Sequence, residues 1–197
     1  MAVILLPERP ASAKLEWEMI DFGGTLSSPL GGSDQRLNRP GMRRKAIVTL
    51  PAMDVAQAME WSTQLELAIQ FGAAWRIRQP GFSVGSPGTV LVAGGAQAGY
   101  SLAVDGLRVG YTWRRGQYAS VLTGGVRYLY KIAATARTAN GAGALALTTP
   151  LRATPADNSP VELARPVIEG LLAGLSTGST DPDHLARGFS FAIAERR

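Results

Sequence analysis

Cysteine is missing from the 197-residue chain and histidine occurs once, as His184. Disulfide frameworks, thiolate metal sites and cysteine nucleophiles are therefore excluded, and the chain is long enough to bury a core without covalent staples. That fits folding in a reducing cytoplasm. The opening apolar run, Ala2 to Leu6, stops at Pro7 with no basic residue before it, which is too short for a signal peptide or a membrane span. It reads as an N-terminal strand, and no membrane partner is expected. Lysine is scarce: arginine outnumbers it seventeen to three. Arginine's planar fork suits interfacial pairing with carboxylates, although a GC-rich genome produces the same bias. Phosphate-cradling signatures of the G-x-x-x-x-G-K-[ST] or G-x-G-x-x-G type do not occur.

Long apolar runs are also missing, because 23 glycines and 12 prolines interrupt them. What remains is strand-like. Lys14 to Ile20 alternates Leu15, Trp17 and Met19 against Glu16 and Glu18, predicting a strand with one buried face and both glutamates in solvent. The pair Glu16 and Glu18 also has the residue types of a glycosidase carboxylate pair, but on one strand face the solvated reading is the simpler one. A glycine- and proline-rich stretch, a hairpin arm or a loop, leads to a second strand over Arg43 to Leu50. Asp54 then opens a helix over about residues 54–72: Val55, Ala58, Met59, Ser62, Leu65 and Ile69 recur at spacings of three and four, Gln57, Glu60, Gln64 and Glu66 form the polar face, and Gly72 ends it. Ala73 to Arg78 reads as another strand.

From Thr89 to about Leu163 short strand candidates alternate with turns, the pattern of a small barrel or sandwich. Thr123-Gly124-Gly125 and Thr138 to Gly141 are the expected hairpin turns. Val167 to Thr180 is glycine-broken and ambiguous, whereas Phe189, Phe191 and Ile193 alternate as a strand that should pair back with the first unit. The fold expected is mainly β with one main helix. Residues 1–83 and 164–197 form a belt-like β-sandwich or split barrel, and residues 84–163 an inserted or appended β-barrel or sandwich.

The formal charge of +5 is concentrated in Arg36, Arg39, Arg43, Arg44 and Lys45, a stretch without an acid. Such uncompensated charge predicts contact with a neighbouring subunit, and its confinement to one stretch argues against specific nucleic-acid binding. Tyr111, Trp113, Tyr118, Tyr128 and Tyr130, interleaved with arginines, suit a saccharide ligand, a protein interface or half-buried packing. Asp181, Asp183 and His184 supply too few ligands for zinc or calcium and read as a solvated turn. No catalytic group, metal or cofactor is expected.

The order LEWEMI, glycine–proline arm, RRKAIVTLP, single helix and AAWRIRQPG resembles the start of distal tail proteins of long-tailed bacteriophages and gene transfer agents. AQAGYSLAVDGL, RRGQYASVLTGGVRYLYKI and TTPLRATPADNSPVEL are similar to the accessory β-modules of such minor tail proteins. The resemblance implies a non-enzymatic virion protein, assembled in the bacterial cytoplasm into a ring of about six copies, in contact with tail tube, hub or fibre proteins. A carbohydrate-binding module at the tail tip and another tail ring, such as a terminator or connector, are the alternatives.

Overall fold

The computed structural model describes residues 3–8, 10–27, 31–37, 39, 41–79, 81, 83–180 and 184–196. Among the described residues the protein is mainly β, with one helix and several sheets, none closed. The first part contributes β1 (Ile4–Leu5), β2 (Lys14–Ile20), β3 (Gly24–Leu26), β4 (Gln35–Leu37), β5 (Arg43–Thr49), β6 (Met53–Asp54), α1 (Val55–Phe71) and β7 (Ala73–Arg76). The middle contributes β8 (Gly88–Val92), β9 (Ser101–Leu107), β10 (Thr112–Trp113), β11 (Tyr118–Thr123), β12 (Val126–Lys131), β13 (Ala136–Arg137), β14 (Gly143–Ala146) and β15 (Val161–Glu162). The chain ends in β16 (Val167–Thr180) and β17 (Leu185–Glu195).

The main sheet runs β1-β7-β16-β17-β5-β2, with β6 adding to β17 further along. The alternating Phe189, Phe191 and Ile193 put β17 at its centre, antiparallel to β5 with Phe191 opposite Val48. Val167 to Thr180 resolves into the longest strand, β16. Its glycines bend the strand instead of ending it, and the register with β17 shifts between Ala173 and Ser176. β3 pairs antiparallel with β4, with Gly24 opposite Leu37, and the two strands make an arm. β15, near the end of the middle segment, is only two residues long.

Asp54 caps α1, its carboxylate accepting from the Gln57 amide at 2.8 Å. The buried stripe is Ala58, Trp61, Leu65 and Ala68, so the expected apolar face is corrected: Met59 and Ile69 are 66% and 54% exposed. Two stripes with helical spacing compete in this segment, and the one carrying Trp61 has more area to bury. Trp61 and Trp75 both pack on Phe191, with ring centroids 5.9 Å away in each case. The helix ends at Gly72, whose amide donates to the Ala68 carbonyl, and the Arg196 guanidinium donates to the Phe71 carbonyl at 2.9 Å. In β2, Glu16 and Glu18 are exposed as expected, but Met19 is exposed too, at 44%.

The middle segment builds two three-stranded sheets, β14-β9-β8 and β12-β11-β15, and a ribbon, β10-β13. Gly124 and Gly125, both at positive φ, make the two-residue turn between β11 and β12, where Thr123 faces Val126. Thr138 to Gly141, by contrast, joins strands of different sheets and is not a tight hairpin. Two buried apolar clusters result. One lies between the main sheet and α1; the other is lined by Val92, Leu102, Val104, Trp113, Val121, Tyr130, Ile132 and Leu145. The β11–β12 hairpin serves both: Ala119, Val121 and Tyr130 face the second cluster, while Leu129 and Tyr118 pack on the first.

Candidate functional site

The charged residues between the two clusters form a connected network of hydrogen bonds and ion pairs. β12 is the outer strand of its sheet, so every second amide along it lacks a strand partner. Two glutamates from adjoining strands of the main sheet fill that need. Glu195 accepts from the Leu129 amide at 2.9 Å and Glu169 from the Arg127 amide at 3.2 Å. Both are 2% exposed. Gly170 pairs with Glu195, so the two glutamates come from neighbouring strands, one residue out of register.

Glu195 also accepts from the Arg44 amide at 2.7 Å and is ion-paired with the Arg152 guanidinium. A buried carboxylate is tolerated only with such a complement of donors. Around it, the Arg152 guanidinium lies 5.0 Å from the Tyr128 ring and 5.7 Å from the Tyr130 ring, and the Tyr130 hydroxyl accepts from the Arg152 amide. Burial pushes the Tyr130 phenol above its ordinary value, which keeps it protonated. The Arg44 guanidinium donates to Thr148 at 3.2 Å and sits 5.5 Å from the Tyr118 ring, which stacks on Trp17 at 5.0 Å. Burial lowers the Arg44 guanidinium from its ordinary value, against the pull of Tyr118 and Glu195. At the other end, Arg127 pairs with Glu162 at 3.3 Å and Glu169 at 3.8 Å, and the Ser120 hydroxyl bridges the Glu162 carboxylate and the Val167 amide. An open cleft of about 750 Å³ adjoins this end, lined by Leu5, Arg76, Leu91, Arg127, Glu162 and Glu169 among others.

The sequence candidates separate accordingly. The basic stretch is not uncompensated: Arg36 pairs with Asp21 at 2.9 Å, Lys45 with Glu18 at 2.8 Å, and Arg43 lies 4.7 Å from the Phe22 ring. Arg44 is a core residue, 7% exposed, and Arg39 is exposed. The acids come from β2 and its continuation, which a scan along the stretch itself cannot see. The five aromatics do not form one surface. Trp113 and Tyr130 are 3% and 1% exposed, so neither ring can stack on a sugar; Tyr118 and Tyr128 belong to the buried charged site, and Tyr111 is half-buried with its hydroxyl accepting from Gln117. His184 is an exposed turn residue at positive φ, while Asp181 and Asp183 lie outside the described residues. Among the described residues no group of three potential metal ligands occurs, and no helix is long and apolar enough to cross a membrane. Glu169, Glu195 and Arg152 were not expected as site residues; their one sequence signal is a charge inside or beside an apolar strand. No protein-family model matches the chain, and no curated protein sequence matches it.

Chemically, this site fastens. Glu195 is held at both oxygens by two amides and a guanidinium group, and Glu169 at one oxygen by Arg127, and together they hold β12 against β16, β17 and β5.

Proposed function

We propose that the protein is a structural subunit of a bacteriophage tail or a phage-derived particle, a distal tail ring component joining the tail tube to the host-recognition tip. One observation carries the reading: the main sheet ends in an open seven-residue edge, β2, from which the β3–β4 arm continues. An edge of that length left unpaired invites association, and cyclic symmetry closes such edges without leaving a free end. The resemblance described above favours a distal tail ring, and the fastening role of the buried charges agrees with a part under mechanical load. Terminator or connector rings share this logic and are placed second. The test is negative-stain microscopy and mass photometry of the purified protein over a range of concentrations. Rings of about six copies are expected. Monomers at every concentration, with no rings in the micrographs, would overturn the reading, and a stable dimer would replace it with a two-fold assembly.

A further inference from the structure

Counted by region, the charge excess lies elsewhere than in the arm. Residues 84–163 hold seven basic and three acidic side chains, whereas the rest of the chain holds thirteen and twelve. Within 84–163, Lys131, Arg127 and Arg152 face the main sheet or the buried site, and Arg108, Arg114, Arg115 and Arg137 remain. All four are exposed.

Hydrogen bonds gather them at one end of the segment. The ribbon pairs Thr112 with Arg137 and Trp113 with Ala136. Trp113 is buried, so alternation turns Thr112, Arg114 and Arg137 to the outer face, with Arg114 and Arg137 as diagonal neighbours about 7–8 Å apart at Cα. Arg115 follows, its amide bonded to Thr135, and Arg108 starts the turn that closes on Tyr111. The Arg137 Nε donates to the Gly110 carbonyl, fixing that side chain against the turn. None of the four is ion-paired with an acid among the described residues. The acids of the segment are engaged elsewhere or set apart: Glu162 binds Arg127 and Ser120, Asp157 accepts from Gly94, and Asp105 stands inside β9 opposite Leu91.

We propose that this four-arginine ribbon binds an acidic polysaccharide, through carboxylate or phosphate groups carried on a flexible glycan chain. Arginine's fork matches both groups. Other partners fit worse. A protein interface needs roughly 800 Å² per side with an apolar centre, and the ribbon exposes one large apolar side chain, Val109. That one side chain is also too little to insert into a lipid surface. Single-stranded nucleic acid is held by stacking on exposed rings. Trp113 is buried here, and the exposed Tyr100 stands at the opposite end of β9, about 25 Å away along the strand. A site that reads charge without stacking is weak singly. Repeated around a ring it gains avidity, so its use at a tail tip rests on the assembly reading above, while its existence does not.

The test is binding of the full chain to polygalacturonate, phosphorylated dextran, unsubstituted dextran and oligothymidylate by calorimetry or fluorescence anisotropy. Binding to one or both acidic glycans and none to plain dextran is expected. Four contacts give a loss of about 50-fold between 50 and 200 mM salt. Replacing Arg108, Arg114, Arg115 and Arg137 with Gln should weaken binding by at least about tenfold and flatten the salt dependence, whereas Arg36→Gln with Arg39→Gln should leave both unchanged. Circular dichroism of the fourfold variant checks its fold, and Arg114→Gln with Arg137→Gln gives the smaller loss in the same direction. The proposal is overturned if neither acidic glycan binds, if plain dextran binds equally, if the fourfold variant binds like the parent, or if oligothymidylate binds more than about tenfold tighter, which would make the ribbon a nucleic-acid site. Ring assembly is scored separately on the same variants. Rings without glycan binding sink this proposal alone, and glycan binding without rings sinks the assembly reading alone.

Discussion

Thr123 meets Val126 across a two-residue turn, and β9 takes β8 from the preceding stretch of chain and β14 once β10 to β13 have passed. In the main sheet Phe191 meets Val48, and β1 lies beside β7 only after the whole of α1 has passed. The second cluster is thus assembled wholly within the middle segment, from Val90 to Leu163, and the first waits for the C-terminus. Closing long loops before any contact repays them slows folding, so the middle segment is expected to form early and the main sheet late. The difference also says where each part is vulnerable: the first to loss of one distant strand, the second to loss of a local turn.

Truncation before Gly188 attacks that dependence most directly. It removes Phe189, Phe191 and Ile193 from the centre of the main sheet, at about 1.5–3 kcal/mol each, comparable to a whole domain's margin. The expected result is loss of the Trp61 and Trp75 near-ultraviolet signals, with β-structure of the middle segment retained. If both parts unfold together, the two clusters behave as one body and the contrast drawn above is false.

Next in size, Glu195→Ala strands one buried guanidinium group, that of Arg152, and two amides, Arg44 and Leu129. A loss of roughly 3–5 kcal/mol is expected in urea unfolding, with one transition splitting into two as the parts uncouple. Glu195→Gln keeps the acceptor oxygen and should cost less. A single transition, shifted by under about 1 kcal/mol, would show that the junction is held by apolar contact alone.

Trp61→Ala and Met59→Ala test the helix face within the first part. The former should cost about 3–5 kcal/mol and the latter stay within about 0.5 kcal/mol, since Met59 is exposed. Equal costs would show that the face is wrongly assigned. The smallest effect is Arg196→Ala, which removes the guanidinium from the Phe71 carbonyl at the helix end. About 1 kcal/mol is expected in thermal melts, and less at high salt.

Local pattern made much of this legible. The alternation of Lys14 to Ile20, the cap at Asp54, the Gly124-Gly125 turn and the alternating Phe189, Phe191 and Ile193 each follow from one short window. The helix face did not, because Met59 and Ile69 offer the same spacing as Trp61, Leu65 and Ala68, and only the sheet opposite decides between them. β16 was obscured by glycines that permit its bends. The buried charges were least legible: Glu195 is defined by Arg44, Leu129 and Arg152, which reach it from three separate stretches of chain. A charge in an apolar strand is a flag, but its partners are supplied by topology.

Glu169 and Glu195 grip β12 two residues apart, and in mechanical terms they act as two pins through one bar. A single pin permits swivelling about its axis; a second fixes the heading. A push on the arginine-bearing ribbon is therefore carried to the main sheet as shear, shared by both carboxylates at once and not taken up by one after the other.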